Sequence, residues 1–160
     1  MSFDAKALRG ALGRYATGVT ITTCRAADGQ PVGLTVNSFG ALSLEPPLVM
    51  WALRAASPAL PAFRQASHFA VNVLAEGQIE LSRRFASPVH DRFAEGVWSK
   101  GQGGAPVLAG CCAVFECVTD RELPLGDHVL FVGRVLSLSE AALAPLVFQG
   151  GHYHHLGRTL

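Results

Sequence analysis

The period of apolar and polar positions changes several times along the chain. Phe3, Ala7, Leu8, Ala11, Leu12 and Tyr15 recur at helical spacing. This predicts a first helix capped by Ser2 or Asp4 and ended by Gly18. Val19–Cys24 is β-branched and predicts a strand, and the Asp28-Gly29 pair within Ala27–Gln30 predicts a hairpin turn. Val32–Asn37 then returns antiparallel, and Leu48–Leu53 supplies a third strand whose start Pro46-Pro47 keeps out of any central ladder.

Farther on, Ser57-Pro58 has the pattern of an N-cap followed by proline, opening a short helix through Phe63 to Ala66. His68–Ala75 predicts a strand, and Gln78–Phe85 a helix with Glu80 four residues before Arg84. Residues 86–106 are broken by Pro and Gly and predict a loop. Long strands are expected over Cys111–Thr119 and Val129–Leu138, and a short last one over 145–148. Six or seven strands joined mostly by hairpins, without long crossover helices, argue against a doubly wound sheet. They predict a mainly β domain over 1–160, an antiparallel barrel, closed or split, that hides its edges.

Composition sharpens this picture. Only 16% of the 160 residues are charged and 49% are apolar, with a mean hydropathy of +0.29. A quarter charged is usual, so apolar surface is expected to be covered by a second subunit or a bound cofactor. A net charge of +1, with no basic helix face, offers nothing to nucleic acid. No apolar run reaches the roughly 18 residues of a membrane span, and the N-terminus, interrupted by Asp4, does not read as a signal peptide. Cys24, Cys111, Cys112 and Cys117 form no C-x-x-C pair. Buried free thiols in a reducing cytoplasm are the expectation, with Cys111 and Cys112 on opposite faces of a strand.

Motifs for the commoner chemistries are missing. There is no phosphate loop, no G-x-G-x-x-G in the "GQGGAP" of 101–106, and no serine elbow. His152 and His154 would share a strand face, but no third metal ligand accompanies them. What remains is the polar group Thr35, Asn37 and Ser38 inside an apolar stretch. On a strand end, such groups commonly cap the backbone. The other reading is a row of donors and acceptors facing a flat heterocycle. In that reading the helix start at Ser57-Pro58 suits a phosphate, with Arg83 and Arg84 available for charge-assisted bonds.

The segments "RYATGVTITT", "GLTVNSFGALSLEPPLVMWAL", "HFAVNVLAEGQIELSRRFA", "GDHVLFVGRV" and "PLVFQGGHY" occur in this order across nearly the whole chain. Together they resemble the flavin reductase-like family, the small reductase components of two-component flavin-dependent monooxygenases. The resemblance implies a homodimeric, cytoplasmic FMN-binding split barrel. It would pass hydride from NADH or NADPH to FMN or FAD and release reduced flavin to an oxygenase. By position it assigns flavin contacts to Leu34, Thr35, Val36, Asn37, Ser38, Ala41 and Leu42. It extends them to Leu53, Arg54, Ala55, Ala56 and Ser57, and to Arg84 and Phe85. His128, His152 and Tyr153 fall near the nicotinamide. Pro58 and Pro61 stand where the family often has polar residues.

Such a reaction asks for no nucleophile or acid–base pair, because the flavin carries the chemistry. At 160 residues the chain has no room for a Rossmann domain, so the nicotinamide is expected to fold over the flavin in the same cleft. Trp51 and Trp98 are expected in the core or an interface. The rival class is a flavin- or haem-binding split-barrel carrier or sensor without turnover.

Overall fold

A computed structural model describes residues 4–160; Ser2 and Phe3, assigned above to the first helix, lie outside the described residues. Among the described residues are twelve strands: β1 (Thr17–Gly18), β2 (Thr20–Arg25), β3 (Pro31–Val36), β4 (Gly40–Leu44), β5 (Pro47–Arg54), β6 (His68–Val73), β7 (Trp98–Lys100), β8 (Pro106–Leu108), β9 (Ala113–Leu125), β10 (His128–Glu140), β11 (Val147–Gln149) and β12 (His152–His154). Three α-helices accompany them: α1 (Ala5–Leu12), α2 (Leu60–Gln65) and α3 (Ile79–Ala86). Among the described residues no helix is long and apolar enough to cross a membrane.

Seven strands form one antiparallel sheet in the order β3-β2-β6-β9-β10-β5-β4. Its two edge strands are neighbours in sequence, joined only by Asn37, Ser38 and Phe39. From Val36 to Gly40 the chain can reach about 14 Å at full stretch. Seven strands laid flat would hold their outer members roughly 29 Å apart. The sheet therefore has to curl until its edges face each other. A core of Trp51, Phe63, Phe69, Phe131 and their aliphatic neighbours fills the inside, with Trp51 stacked on Phe131 at 4.9 Å between ring centres. The Trp51 indole N–H is buried without an acceptor, so shape rather than hydrogen bonding fixes this side chain.

A smaller sheet, β1-β11-β12, closes one side over a second core that includes Ile21, Leu74, Phe85 and Leu146. Asn72, fully buried, fastens the layers together. Its amide donates to the Ile21 carbonyl at 2.9 Å and its oxygen accepts from the Leu108 N–H at 2.8 Å. The β7–β8 hairpin is thereby held against β2, where the Thr23 hydroxyl donates to the Pro106 carbonyl.

The mainly β, antiparallel expectation holds, but several element boundaries change. The first helix stops at Leu12, where the Gly13 N–H returns to the Arg9 carbonyl, and Thr17–Gly18 pairs with β11 rather than ending a helix. Asp4 is its cap, accepting from the Lys6 N–H. The hairpin turn at Asp28-Gly29 is as expected, and Pro47 lies outside the β10 ladder, which begins at Leu48. α2 opens at Leu60, not Ser57; the Ser57 hydroxyl accepts from the Ala59 N–H in the turn before it. Glu80 pairs with Arg83 at 2.6 Å and not with Arg84. Residues 86–106 include β7, and Cys111 and Cys112 precede β9 instead of lying in it. β4, β8 and β12 were not anticipated.

Burial pushes the thiols of Cys24, Cys111 and Cys117 up to about 12. The folded chain keeps their protons where the unfolded chain, with ordinary thiols, releases them. This contribution to stability is complete below about pH 9 and is lost as the pH rises toward about 12. Melting temperatures measured from pH 7 to 11 are expected to fall above pH 9 in the parent. Replacing Cys24 and Cys117 by Ala should flatten that alkaline slope.

Candidate functional site

At the meeting of the two sheet edges lies a groove. One part, about 380 Å³, is lined by Leu34, Thr35, Val36, Asn37 and Ser38 on one side. Ala52, Leu53, Arg54, Ser57 and His128 line the other. A second part, about 190 Å³, shares Thr35 and Asn37 and adds Val19, Ala86, Phe148 and Tyr153. Nine of the expected flavin and nicotinamide residues thus surround one cavity, and Tyr153 lines its continuation.

Local constraints explain how this wall is made. Gly33 begins it because a Cβ there would come within 2.9 Å of the Phe85 ring and 3.1 Å of Phe93. β3 can then lie directly on α3 and the loop that follows it. The Thr35 hydroxyl donates to the Ser82 carbonyl at 2.7 Å, fixing strand to helix. The Ser38 hydroxyl donates to the Ala52 carbonyl at 3.0 Å and accepts from the Ala52 N–H at 2.9 Å. β4 pairs with β5 only as far as Met50, so the next outward-facing backbone groups of β5, those of Ala52, would be unpaired. One serine oxygen takes the place of the missing strand. Thr35 and Ser38 are thus committed to the fold, whereas the Asn37 amide has no partner among the described residues and is exposed.

The far side carries charge. Arg54 lies opposite His128 in the β5–β10 register, and its guanidinium has no hydrogen bond or ion pair among the described residues. The Asp127 carboxylate accepts from His128 Nδ1 at 2.8 Å, which leaves Nε2 as the acceptor of the neutral ring. That hydrogen bond, and the charges of His128 and more weakly Arg54, hold the exposed Asp127 carboxyl below the usual range. The Ala55 N–H donates to the Asp127 carbonyl at 2.9 Å, so the turns at 54–57 and 125–128 are stitched together. Tyr153 is steadied by a 2.8 Å hydrogen bond between its hydroxyl and that of buried Ser82. Arg83 sits 5.8 Å from its ring centre.

Other expected residues lie elsewhere. Ala41 and Leu42 occupy the exposed edge strand β4, and Ala55 and Ala56 form a turn beside the groove. Phe85 is buried in the second core against Phe93 and Trp98, so its ring supports the wall from behind. The Arg84 guanidinium donates to the carbonyls of Arg92 and Asp91 and lies 3.4 Å from Glu95. It staples a loop and is not free for a phosphate. His152 faces away from Tyr153, toward α1. Ala52, Val19, Ala86 and Phe148 line the groove unanticipated. Alternation from Arg54 back to Ala52 was a usable sign for the first. Val19 and Phe148 reach it through the pairing of β1 with β11, which no local pattern announces, and Ala86 through the end of α3.

The groove suits a flat, phosphorylated heterocycle. Its volume falls within the roughly 300–1,000 Å³ typical of small-molecule sites. It offers one unpaired amide, apolar backbone walls, and an arginine beside a serine turn. Among the described residues no group of three or more His, Cys, Asp or Glu could hold a metal.

Comparisons with known proteins point the same way. The profile of the flavin reductase like domain matches residues 12–157. A probable flavin reductase of Rhizobium meliloti is 42% identical over 151 residues, 94% of this chain and 49% of that protein. The chain thus spans about half the length of that relative. Reductase subunit HsaB of a flavin-dependent monooxygenase from Rhodococcus jostii is 42% identical over 153 residues, covering 95% of this chain and 78% of its own. The NADH:FAD oxidoreductase SgcE6 of Streptomyces globisporus, solved in complex with NAD and FAD fragments, superposes with a TM-score of 0.91. It is 34% identical, with 98% of this chain and 97% of that one covered.

Two substitutions separate fold from binding. Ser38→Ala leaves both Ala52 backbone groups to water and should destabilise the protein by about 0.5–1.5 kcal/mol in urea unfolding. Asn37→Ala should leave stability within about 0.5 kcal/mol and weaken FMN or FAD binding roughly two- to tenfold by fluorescence titration. Equal flavin affinity in parent and Asn37→Ala would remove Asn37 from the flavin's edge.

Proposed function

The chain belongs to the flavin reductase-like family, and on that premise we propose that it is an NAD(P)H-dependent flavin reductase. It uses NADH or NADPH to reduce FMN or FAD and supplies the reduced flavin to a partner monooxygenase. The observation that carries this reading is the groove itself. Its polar groups suit holding a ring and a phosphate, and it gathers no nucleophile with a base. A flavin held there by Asn37, Arg54 and Ser57 would supply the hydride-accepting chemistry that no side chain of this chain provides.

The protein's own contribution is placement. The β3 backbone and the Asn37 amide face the ring edge, while Arg54 and the Ser57 turn receive the phosphate. His128, its Nδ1 proton committed to Asp127, presents Nε2 to the nicotinamide carboxamide. Tyr153, held by Ser82 and Arg83, covers the ring face and excludes water. Holding two reacting groups in register is the contribution that these residues would make to such a transfer.

In this reading one flavin reductase-like domain spans the chain and adopts the FMN-binding split-barrel form. It is a homodimer whose clefts are completed at the subunit interface. Support comes from apolar side chains left on the outside, among them Leu44, 95% exposed, and Leu136 and Leu138 on β10. A cytoplasmic setting accords with four free thiols and with a need for reduced nicotinamide.

Steady-state NADH or NADPH oxidation with added FMN or FAD is the direct test. Turnover is expected; flavin binding without turnover would make the protein a carrier. His128→Ala and Tyr153→Ala should each lower kcat/KM for the dinucleotide by about 1 kcal/mol, roughly fivefold, with flavin affinity near the parent value. Stopped-flow reduction at the parent rate in both variants would release these residues from the nicotinamide. Light scattering at micromolar concentration should give twice the 16.9 kDa chain mass, and a fully active monomer would overturn the dimer.

A further inference from the structure

Ser82 lies in the middle of α3 and has no exposed surface. Two of its atoms bond in two different directions. The carbonyl accepts from the Thr35 hydroxyl at 2.7 Å, and the side chain shares a 2.8 Å hydrogen bond with the Tyr153 hydroxyl. Thr35 and Tyr153 both line the smaller, 190 Å³ part of the groove. One residue of α3 therefore holds the β3 wall by its backbone and the β12 wall by its side chain.

The choice of serine at this position is itself informative. Alanine is the better helix former, and a buried hydroxyl is costly unless it is hydrogen-bonded. Serine in a helix commonly turns back to the carbonyl four residues earlier. Ser87 does this, donating to the Arg83 carbonyl at 2.8 Å. Ser82 does not, and among the described residues its hydroxyl has no partner but Tyr153. Helix propensity and packing both favour alanine here, so the hydroxyl serves the phenol.

Tyr153 in turn depends on that bond for its direction. Its strand, β12, is three residues long and pairs only with β11. The ring meets Phe148 at 5.4 Å between centres, inclined at 64°. Arg83, held by Glu80 at 2.6 Å, lies 5.8 Å from the ring centre. Contacts of these kinds tolerate a tilt of the ring, whereas a hydrogen bond at its tip is directional.

We propose that Ser82 is a positioning residue for the nicotinamide side of the groove, setting the separation between Tyr153 and the β3 wall. This rests on the reductase reading and deepens it. Ser82 touches neither flavin nor dinucleotide and acts through the Tyr153 phenol. The rigid helix converts one hydroxyl into a fixed width for the recess.

Nitration by tetranitromethane, followed by peptide mass spectrometry of the purified protein without dinucleotide, reads the hold directly. The chain has two tyrosines, and Tyr15, 78% exposed, is the internal standard. Ser82→Ala is expected to speed nitration of Tyr153 relative to Tyr15 about threefold or more, the scale of one lost hydrogen bond. An unchanged ratio would overturn the proposal. In steady-state NADH oxidation, Ser82→Ala and Tyr153→Phe should each raise KM for NADH about three- to tenfold. Both kcat and FMN affinity should stay within about twofold of the parent, and the double variant should match the single ones. Losses that multiply in the double variant would show that Ser82 does not act through Tyr153. Should Ser82→Ala fail to fold, Tyr153→Phe carries the test, and a parent-like KM there overturns the role. Turnover with an unchanged nitration ratio sinks this inference alone. Faster nitration in a protein without turnover sinks the reductase reading and leaves the hold of Ser82 on Tyr153 standing.

Discussion

Three residues, Asn37, Ser38 and Phe39, have to carry the chain from one edge of a seven-stranded sheet to the other. The link is too short for a flat sheet, so the curl of the sheet and the position of the groove follow from the same constraint. The two edges cannot pair along their length, and where they part a cleft remains. Ser38 fixes its width by bonding Ala52 through one hydroxyl. The cleft is the gap that closure leaves, bounded by backbone that would otherwise be orphaned.

Within that gap, the polar side chains divide by whether the fold has already claimed them. Thr35, Ser38 and Ser57 satisfy backbone groups, and Arg84 and Arg92 staple the loop after α3 to itself and to β3. Asn37 and Arg54 have no such duties. A polar group left unpaired at a cavity wall is inexpensive while water reaches it. It becomes selective once a ligand displaces that water, because then an ill-matched ligand leaves it buried and unsatisfied.

Much of this was legible in the sequence. Alternation located β2, β3, β5 and β6 within a residue or two, and Asp28-Gly29 announced its turn. The residues that the family resemblance singled out include Leu34–Ser38, Arg54, Ser57 and His128, and these line one groove. The misreadings have physical causes. β4 is apolar and polar in no clear alternation because it forms an edge. Ser57-Pro58 satisfies the local rules for a helix start, but the chain spends those residues on a turn and begins the helix three residues later. Glu80 lies within reach of both Arg83 and Arg84, and tertiary contacts decided the pairing by drawing Arg84 to the carbonyls of Asp91 and Arg92. His152 and Tyr153, adjacent in sequence, were both expected near the nicotinamide, and the fold turns Tyr153 into the groove and His152 toward α1. As neighbours on a strand they must point oppositely.

The stitch between the turns at 54–57 and 125–128 has a consequence for how the two cofactors communicate. The Ala55 amide bonded to the Asp127 carbonyl leaves Arg54 and His128 on a shared mount beside the groove; in the function proposed above, one serves the flavin phosphate and the other the nicotinamide. A ligand that shifts one turn must carry the other with it. Linkage then makes the effect reciprocal: whatever factor flavin occupancy applies to dinucleotide affinity, the dinucleotide returns to the flavin.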